Sequence, residues 1–256
     1  MNHLGSHFRG AFLTILFVSF TLIASAQTSG QSPLKPSSQT KRFRLIKAFV
    51  VDDRLSALRH EADIQSPVTQ RLRLGRQVFV INTRNGPGDK NEFCRIAVTR
   101  RTRGWIHRSA LASPALAGED ARVMELIDTY KGLDKLTLCR LFAEQFRRSP
   151  LLSKAMLIMA QEADRAAASL NRGATRRLSG INRGINLSLK RDYYLSDPGL
   201  DRYSKLGIKF DFDENAGKYF YDGQAYRDII RLFPRSDEAS HARTRLEGIS
   251  QKQARR

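Results

Sequence analysis

The chain of 256 residues carries 44 Lys and Arg against 25 Asp and Glu, a formal net charge of +19, with two cysteines and one tryptophan. Its length suits two modest domains or one large one, and so few cysteines exclude a disulfide-built fold and give no metal-ligand spacing. The charge draws anionic partners from a distance and says nothing about fold.

The opening MNHLGSHFRG has Arg9 and no acidic residue, and an apolar run from Ala11 to Ile23 leads to Ala24-Ser25-Ala26. Basic, apolar and small-residue segments in that order read as a cleavable export signal over residues 1–26. A single membrane anchor is the other reading, but the run falls short of the roughly 20 residues that span a bilayer. Cleavage after Ala26 leaves a chain with no expected membrane span, periplasmic or secreted. There it meets anionic envelope polymers first, so nucleic acid is not the expected partner. Residues 27–43, QTSGQSPLKPSSQTKRF, are Ser-, Gln- and Pro-rich and read as a flexible linker.

Residues 44–114 show short apolar segments separated by turn residues. Leu45–Val51, Leu55–Arg59, Val68–Leu74, Val78–Ile81, Phe93–Val98 and Gly104–His107 are the expected strands. Asn85-Gly86-Pro87-Gly88 is a loop between two of them, and Arg100–Arg103 is a hairpin turn. Six short strands with no room for a crossover helix predict a small closed or half-closed barrel. Cys94 falls on an expected strand and Cys139 on an expected helix, both with apolar neighbours. A bridge between them and two buried free thiols are both open at this point.

Ser56-Ala57-Leu58-Arg59, Ser66-Pro67-Val68, Leu72-Arg73-Leu74-Gly75 and Gly104-Trp105-Ile106-His107 followed by Leu111 stand in the order of a known signature. In that order they resemble the bacterial SH3 domain, a small all-β barrel of envelope proteins. Ala57 stands where the family has Asn, and Phe93 where Trp is commoner. The resemblance implies a groove for cell-wall peptide or another envelope ligand, with Phe93 and Trp105 as aromatic walls and Arg59, Arg73 and Arg103 as partners for carboxylates. The plainer reading makes both aromatics core and the arginines solvated.

Residues 115–256 change period. Val123, Leu126, Ile127 and Tyr130, then Leu138, Leu141, Phe142 and Phe146, recur at helical spacing around Gly132. Ser149-Pro150 opens a third, alanine-rich helix towards Leu170. Gln224–Phe233 and a last helix from Ser236 form a second pair, and both pairs join through Phe-x-Arg-Ser. Phe233-Pro234-Arg235-Ser236-Asp237-Glu238-Ala239 resembles the repeat end of the tetratricopeptide class, which implies stacked helical hairpins and a protein partner. A plain helical domain is the alternative, because only two units are legible. Between them, Ile208–Asp213 and Lys218–Asp222 predict a β-hairpin near 208–222, preceded by Tyr193, Tyr194 and Tyr203. Its aromatic side either clasps a partner or lies on the helices.

The expected fold class is therefore a multidomain chain, a small SH3-like barrel followed by a tetratricopeptide-like helical domain with a β-hairpin insertion. No cofactor or metal site is expected: Asp211, Asp213 and Glu214 lack the spacing of a calcium loop, and no H-E-x-x-H is present. Catalytic residues are none: Cys139 lacks the flanking Asp and Ser of wall peptidases, only His60, His107 and His241 follow residue 26, and although Arg140 could lower a thiol pKa, a core Cys is the commoner explanation. The expected function is an exported, non-catalytic envelope protein that binds peptidoglycan or another anionic polymer through the barrel and a protein through the helices. A structural scaffold without a wall ligand and a cell-wall hydrolase are the alternatives.

Overall fold

The computed structural model describes residues 45–89, 91–178, 198–213 and 217–254. The expected signal peptide, the linker, Tyr193 and Tyr194 lie outside the described residues.

Seven strands come first: β1 Ile46–Val50, β2 Ala57–Arg59, β3 Val68–Arg71, β4 Gln77–Asn85, β5 Glu92–Ala97, β6 Arg103–His107 and β7 Leu111–Ala112. They form one antiparallel sheet in the order β3-β2-β6-β5-β4-β1-β7. One face of every strand except β3 is apolar. Ala48, Val50, Leu58, Val78, Cys94, Ile96, Ile106 and Leu111 meet in a single cluster, joined by Leu72 and Ala110 from the connections. The sheet curls over that cluster, as strand twist requires, and a bulge between Val80 and Asn82 adds to the bend.

The expected closed barrel is not what this sequence makes, and the resemblance to the bacterial SH3 domain is overturned with it. The sheet is open, with β3 and β7 as its two edges. Closure needs a ladder between those edges, and β7 offers two residues, both already paired to β1 through Phe49↔Ala112 and Val50↔Leu111. The outer face at this end is also apolar. Phe49, Val51 and Ala112 are buried and belong to the core of the helical region. Helices, rather than a further strand pairing, cover what the sheet leaves open there.

The helical region begins with α1 Glu119–Thr129, α2 Gly132–Gln145 and α3 Leu152–Leu178, followed by α4 Pro198–Lys205. A hairpin of β8 Phe210–Asp213 and β9 Lys218–Tyr221 comes next, then α5 Gln224–Leu232 and α6 Asp237–Ala254. Gly118, at φ 77°, turns the chain into α1, whose first turn carries Glu119 and Asp120 against the exposed amides. Ser149 accepts the Leu151 N–H and donates to Asp120 at 2.6 Å, which ties the start of α3 to α1.

The stacked helical repeats suggested by the shared Phe-x-Arg-Ser are overturned as well. In a solenoid each hairpin packs on the next, whereas here α2 on one side and α5 and α6 on the other pack against α3. The cause is α3 itself. Ala155, Ala160, Ala163 and Ala166 are buried along it and let the neighbouring helices approach closely. The result is one core shared by both pairs, not two repeat units. The β8–β9 hairpin turns Tyr219 and Tyr221 inward, each 3 % exposed. The Asn171 side-chain amide of α3 binds both the N–H and the C=O of Tyr219, at 2.6 and 2.8 Å, as a neighbouring strand would.

Sheet and helices are joined at a buried carboxylate. Glu119 accepts from Arg108 at 2.6 Å and from Arg122 at 2.7 Å. The same two guanidinium groups also bind the Leu111 carbonyl at the end of the sheet. Tyr130 adds hydrogen bonds to Asp52 and Asp53, at 3.1 and 2.8 Å.

Candidate functional site

The outer face of the sheet is divided. At the β1–β7 end it is covered by helices, and across β2, β6, β5 and β4 it carries the residues on which binding can be built. Alternation sets this up: along β5, Cys94 and Ile96 enter the core, so Phe93, Arg95 and Ala97 point the other way. Along β6, Ile106 enters the core, so Arg103, Trp105 and His107 face outward.

Register then aligns these positions into rows across the strands. Arg59, Trp105, Arg95 and Asn82 form one row. Lys47, Phe79, Ala97 and Arg103 form the next. His107, Phe93 and Arg84 form a third. Trp105, half-buried, therefore has Arg59 and Arg95 on either side of it and Arg103 two residues along its own strand. Phe79, at 39 % exposure, gives the face a second open aromatic ring.

No carboxylate stands in these rows. Among the described residues, none of the ion pairs involves Lys47, Arg59, Arg84, Arg95 or Arg103. The Arg59 guanidinium donates to the Ser66 carbonyl at 2.6 Å, which holds the loop after β2 in place and leaves the charge uncompensated.

That loop makes one wall of a groove of about 410 Å³ beside Trp105. Glu61, Ala62 and Asp63 line one side, and Arg84, Asn85, Gly86 and Pro87 the other. The approach is close because residue 86 is Gly: a Cβ there would lie 2.9 Å from the Phe93 ring and 3.0 Å from the Ala62 carbonyl. Phe93 sits beneath at 2 % exposure, edge-on to His107 with ring centroids 5.6 Å apart. Ser109 N–H donates to His107 Nδ1 at 3.2 Å, so Nε2 carries the proton and donates to Asn91 Oδ1 at 3.3 Å. Burial lowers the His107 pKa, against a smaller opposing pull from Asp52. The ring is neutral at pH 7.

Of the residues named from the sequence, Arg59, Trp105 and Arg103 come together on this face, and Phe93 forms its floor. Arg73 does not join them. It lies in the turn after β3, whose Gly75 N–H and Arg76 carbonyl bind the backbone of Val50. Arg95, Arg84, Phe79, Glu61 and Asp63 were not among the named residues. The alternation Phe93-x-Arg95 was the available signal for Arg95; the groove wall at Glu61 and Asp63 depends on a loop folding back, which leaves no local pattern.

Cys94 and Cys139 are both free and buried. Burial pushes the Cys94 thiol up to about 11 and the Cys139 thiol up to about 12. Among the described residues, no group of three or more His, Cys, Asp or Glu is placed to hold a metal ion, and no helix is long and apolar enough to cross a membrane. In comparisons with known proteins, no family model, no curated protein and no solved structure matches the chain.

Proposed function

We propose that this chain is an exported, non-catalytic protein that binds cell-wall material, an anionic polymer, through the outer face of its open sheet. One observation carries the proposal: Trp105 is half-buried in a face whose row cations form no ion pair among the described residues. An aromatic ring left partly open and flanked by Arg59, Arg95 and Arg103 offers apolar area and charge together, the combination found at binding hot spots. Uncompensated surface charge costs self-repulsion, and a carboxylate-bearing polymer laid across the rows relieves it. The opening segment 1–26 gives such a protein its route to the wall, and the helices, seated on Phe49, Val51 and Ala112, hold the sheet from its other end.

Co-sedimentation of residues 27–256 with purified peptidoglycan over a salt series tests this. Binding persists at about 0.3 M salt, where exposed charges alone are largely screened, and is lost in Trp105→Ala with an unchanged circular dichroism spectrum. Equal binding by Trp105→Ala, or loss of all binding by moderate salt, refutes the proposal.

A further inference from the structure

Beyond wall binding as such, the geometry selects one part of the polymer. We infer that the face reads the glycan strand itself, where its sugars carry free carboxylates and no peptide: an N-acetylated chain with one carboxylate per disaccharide, running across the strands from β2 to β5. The inference rests on the wall-binding function proposed above and names the ligand of that same face.

Spacing comes first. Arg59 and Arg95 are each one strand away from Trp105 in a single register row, which sets their backbones about 10 Å apart. That is about the advance of a disaccharide along an extended β-1,4-linked chain. Carboxylates on alternate sugars therefore match the spacing of the two arginines, Arg59 meeting one with the N–H groups that it does not give to the Ser66 carbonyl. The sugar between them falls on Trp105. A pyranose ring presents one face of C–H groups, and these pack on the electron-rich face of an indole.

The groove supplies the second match. A stacked sugar with an N-acetyl group must place an amide N–H donor, a carbonyl acceptor and a methyl beside the ring. The cleft next to Trp105 is lined by Glu61 and Asp63 as acceptors, by Asn85 and Arg84 as donors, and by Ala62 and Pro87 as apolar surface. Its volume of about 410 Å³ is large enough for the substituent and part of a neighbouring sugar. The Asp63 carboxylate already accepts the Gln65 N–H at 2.9 Å, so the wall is fixed before the ligand arrives. The two carboxylates also disfavour a bare polyanion, whose charge would meet Glu61 and Asp63 as soon as it left the arginine row.

The test uses residues 27–256 and four soluble probes, with the quenching of the only tryptophan as readout: peptide-free glycan fragments of alternating N-acetylglucosamine and N-acetylmuramic acid, chitooligosaccharides of equal length, polygalacturonate fragments, and free stem peptide. Intact peptidoglycan is measured in parallel by co-sedimentation. The peptide-free glycan binds at least about tenfold more tightly than each of the others. Arg95→Gln brings it down to the level of the neutral chitooligosaccharide without changing affinity for the latter. Glu61→Gln combined with Asp63→Asn removes the preference over polygalacturonate. If stem peptide binds and peptide-free glycan does not, the glycan inference is overturned while wall binding stands. If neither the probes nor intact peptidoglycan bind, wall binding itself has failed. An unchanged glycan affinity in a folded Arg95→Gln variant also overturns the inference.

Discussion

Replacing Glu119 with Gln removes the one negative charge between Arg108 and Arg122 and leaves the shape almost unaltered. The carboxylate side chain is 8 % exposed, against 24 % and 31 % for its two partners. Breaking a fully buried pair by deleting one member costs about 3–5 kcal/mol. The arginines here retain some water and keep their bonds to the Leu111 and Ser109 carbonyls, so a loss of roughly 2–3 kcal/mol is expected. For a chain of this size that corresponds to a fall in Tm of roughly 5–10 °C, measured by circular dichroism at pH 7 on residues 27–256. The pH dependence gives a second readout. Burial raises the Glu119 pKa, and hydrogen bonds from Arg122 and Arg108, with their charges, outweigh it, so the folded-state pKa lies below the ordinary 4.5 of a glutamate. A depressed carboxylate pKa contributes stability that is present above the unfolded value and lost as pH falls through the folded one. The gap between the parent and Glu119→Gln therefore narrows as pH drops below about 4.5. A gap under about 0.5 kcal/mol at pH 7, or one that stays constant down to pH 3, would show that the triad does not join sheet to helices.

Gly104→Ala places a Cβ 2.8 Å from the Arg59 carbonyl and 2.8 Å from Leu58 Cγ; pushing β2 off β6 costs about 1–3 kcal/mol in chemical denaturation and weakens peptidoglycan binding along with it. Tyr130→Phe removes the hydroxyl that binds Asp52 and Asp53 and lowers stability by about 1 kcal/mol, with wall binding unchanged. Both cysteines, buried and with raised pKa values, stay unmodified by an aromatic disulfide reagent at pH 8 in the native protein, and two equivalents react after denaturation; fast native labelling would contradict the burial of both.

Six of the seven strands were legible because each has a local signature, as where Cys94 and Ile96 flank Arg95 and alternate as a one-sided sheet must; β7, two residues long, was not. Closure was not, since it depends on how far β7 runs before Pro114 and on what covers Phe49, Val51 and Ala112, both decided by chain more than sixty residues away from β1. Helices α1 and α2 were legible from Val123, Ile127, Leu138 and Phe142, and α3, α5 and α6 from like spacing, while α4 was not; the repeat inference failed for a related reason. Two turns of similar sequence do not say what the hairpins pack against, and α3, running on to Leu178, supplies one surface for both. At the site, Trp105, Arg59 and Arg103 were found as single residues; their arrangement in rows follows from register, which a one-residue slip would reverse.

The large positive charge takes on meaning only once its counter-charges are located. In the helical region, Arg140, Arg165, Arg231 and Arg245 each meet a carboxylate at 2.5 to 2.8 Å, and at the joint Glu119 serves Arg108 and Arg122. The outer face of the sheet has no such partners in its rows, although it is the face on which Trp105 and Phe79 are open. Arg59, Arg95 and Arg103 lie within about two strand spacings of one another, near a Debye length at physiological salt, so they act on a polyanion as a group. Long-range attraction therefore centres on the place where short-range contact is available. Attraction that belonged to the whole surface would survive neutralisation of Arg59, Arg95 and Arg103 with only a proportionate loss. Attraction centred on this face does not, which makes the salt dependence of wall binding in that triple variant the quantity that separates a site from a merely basic protein.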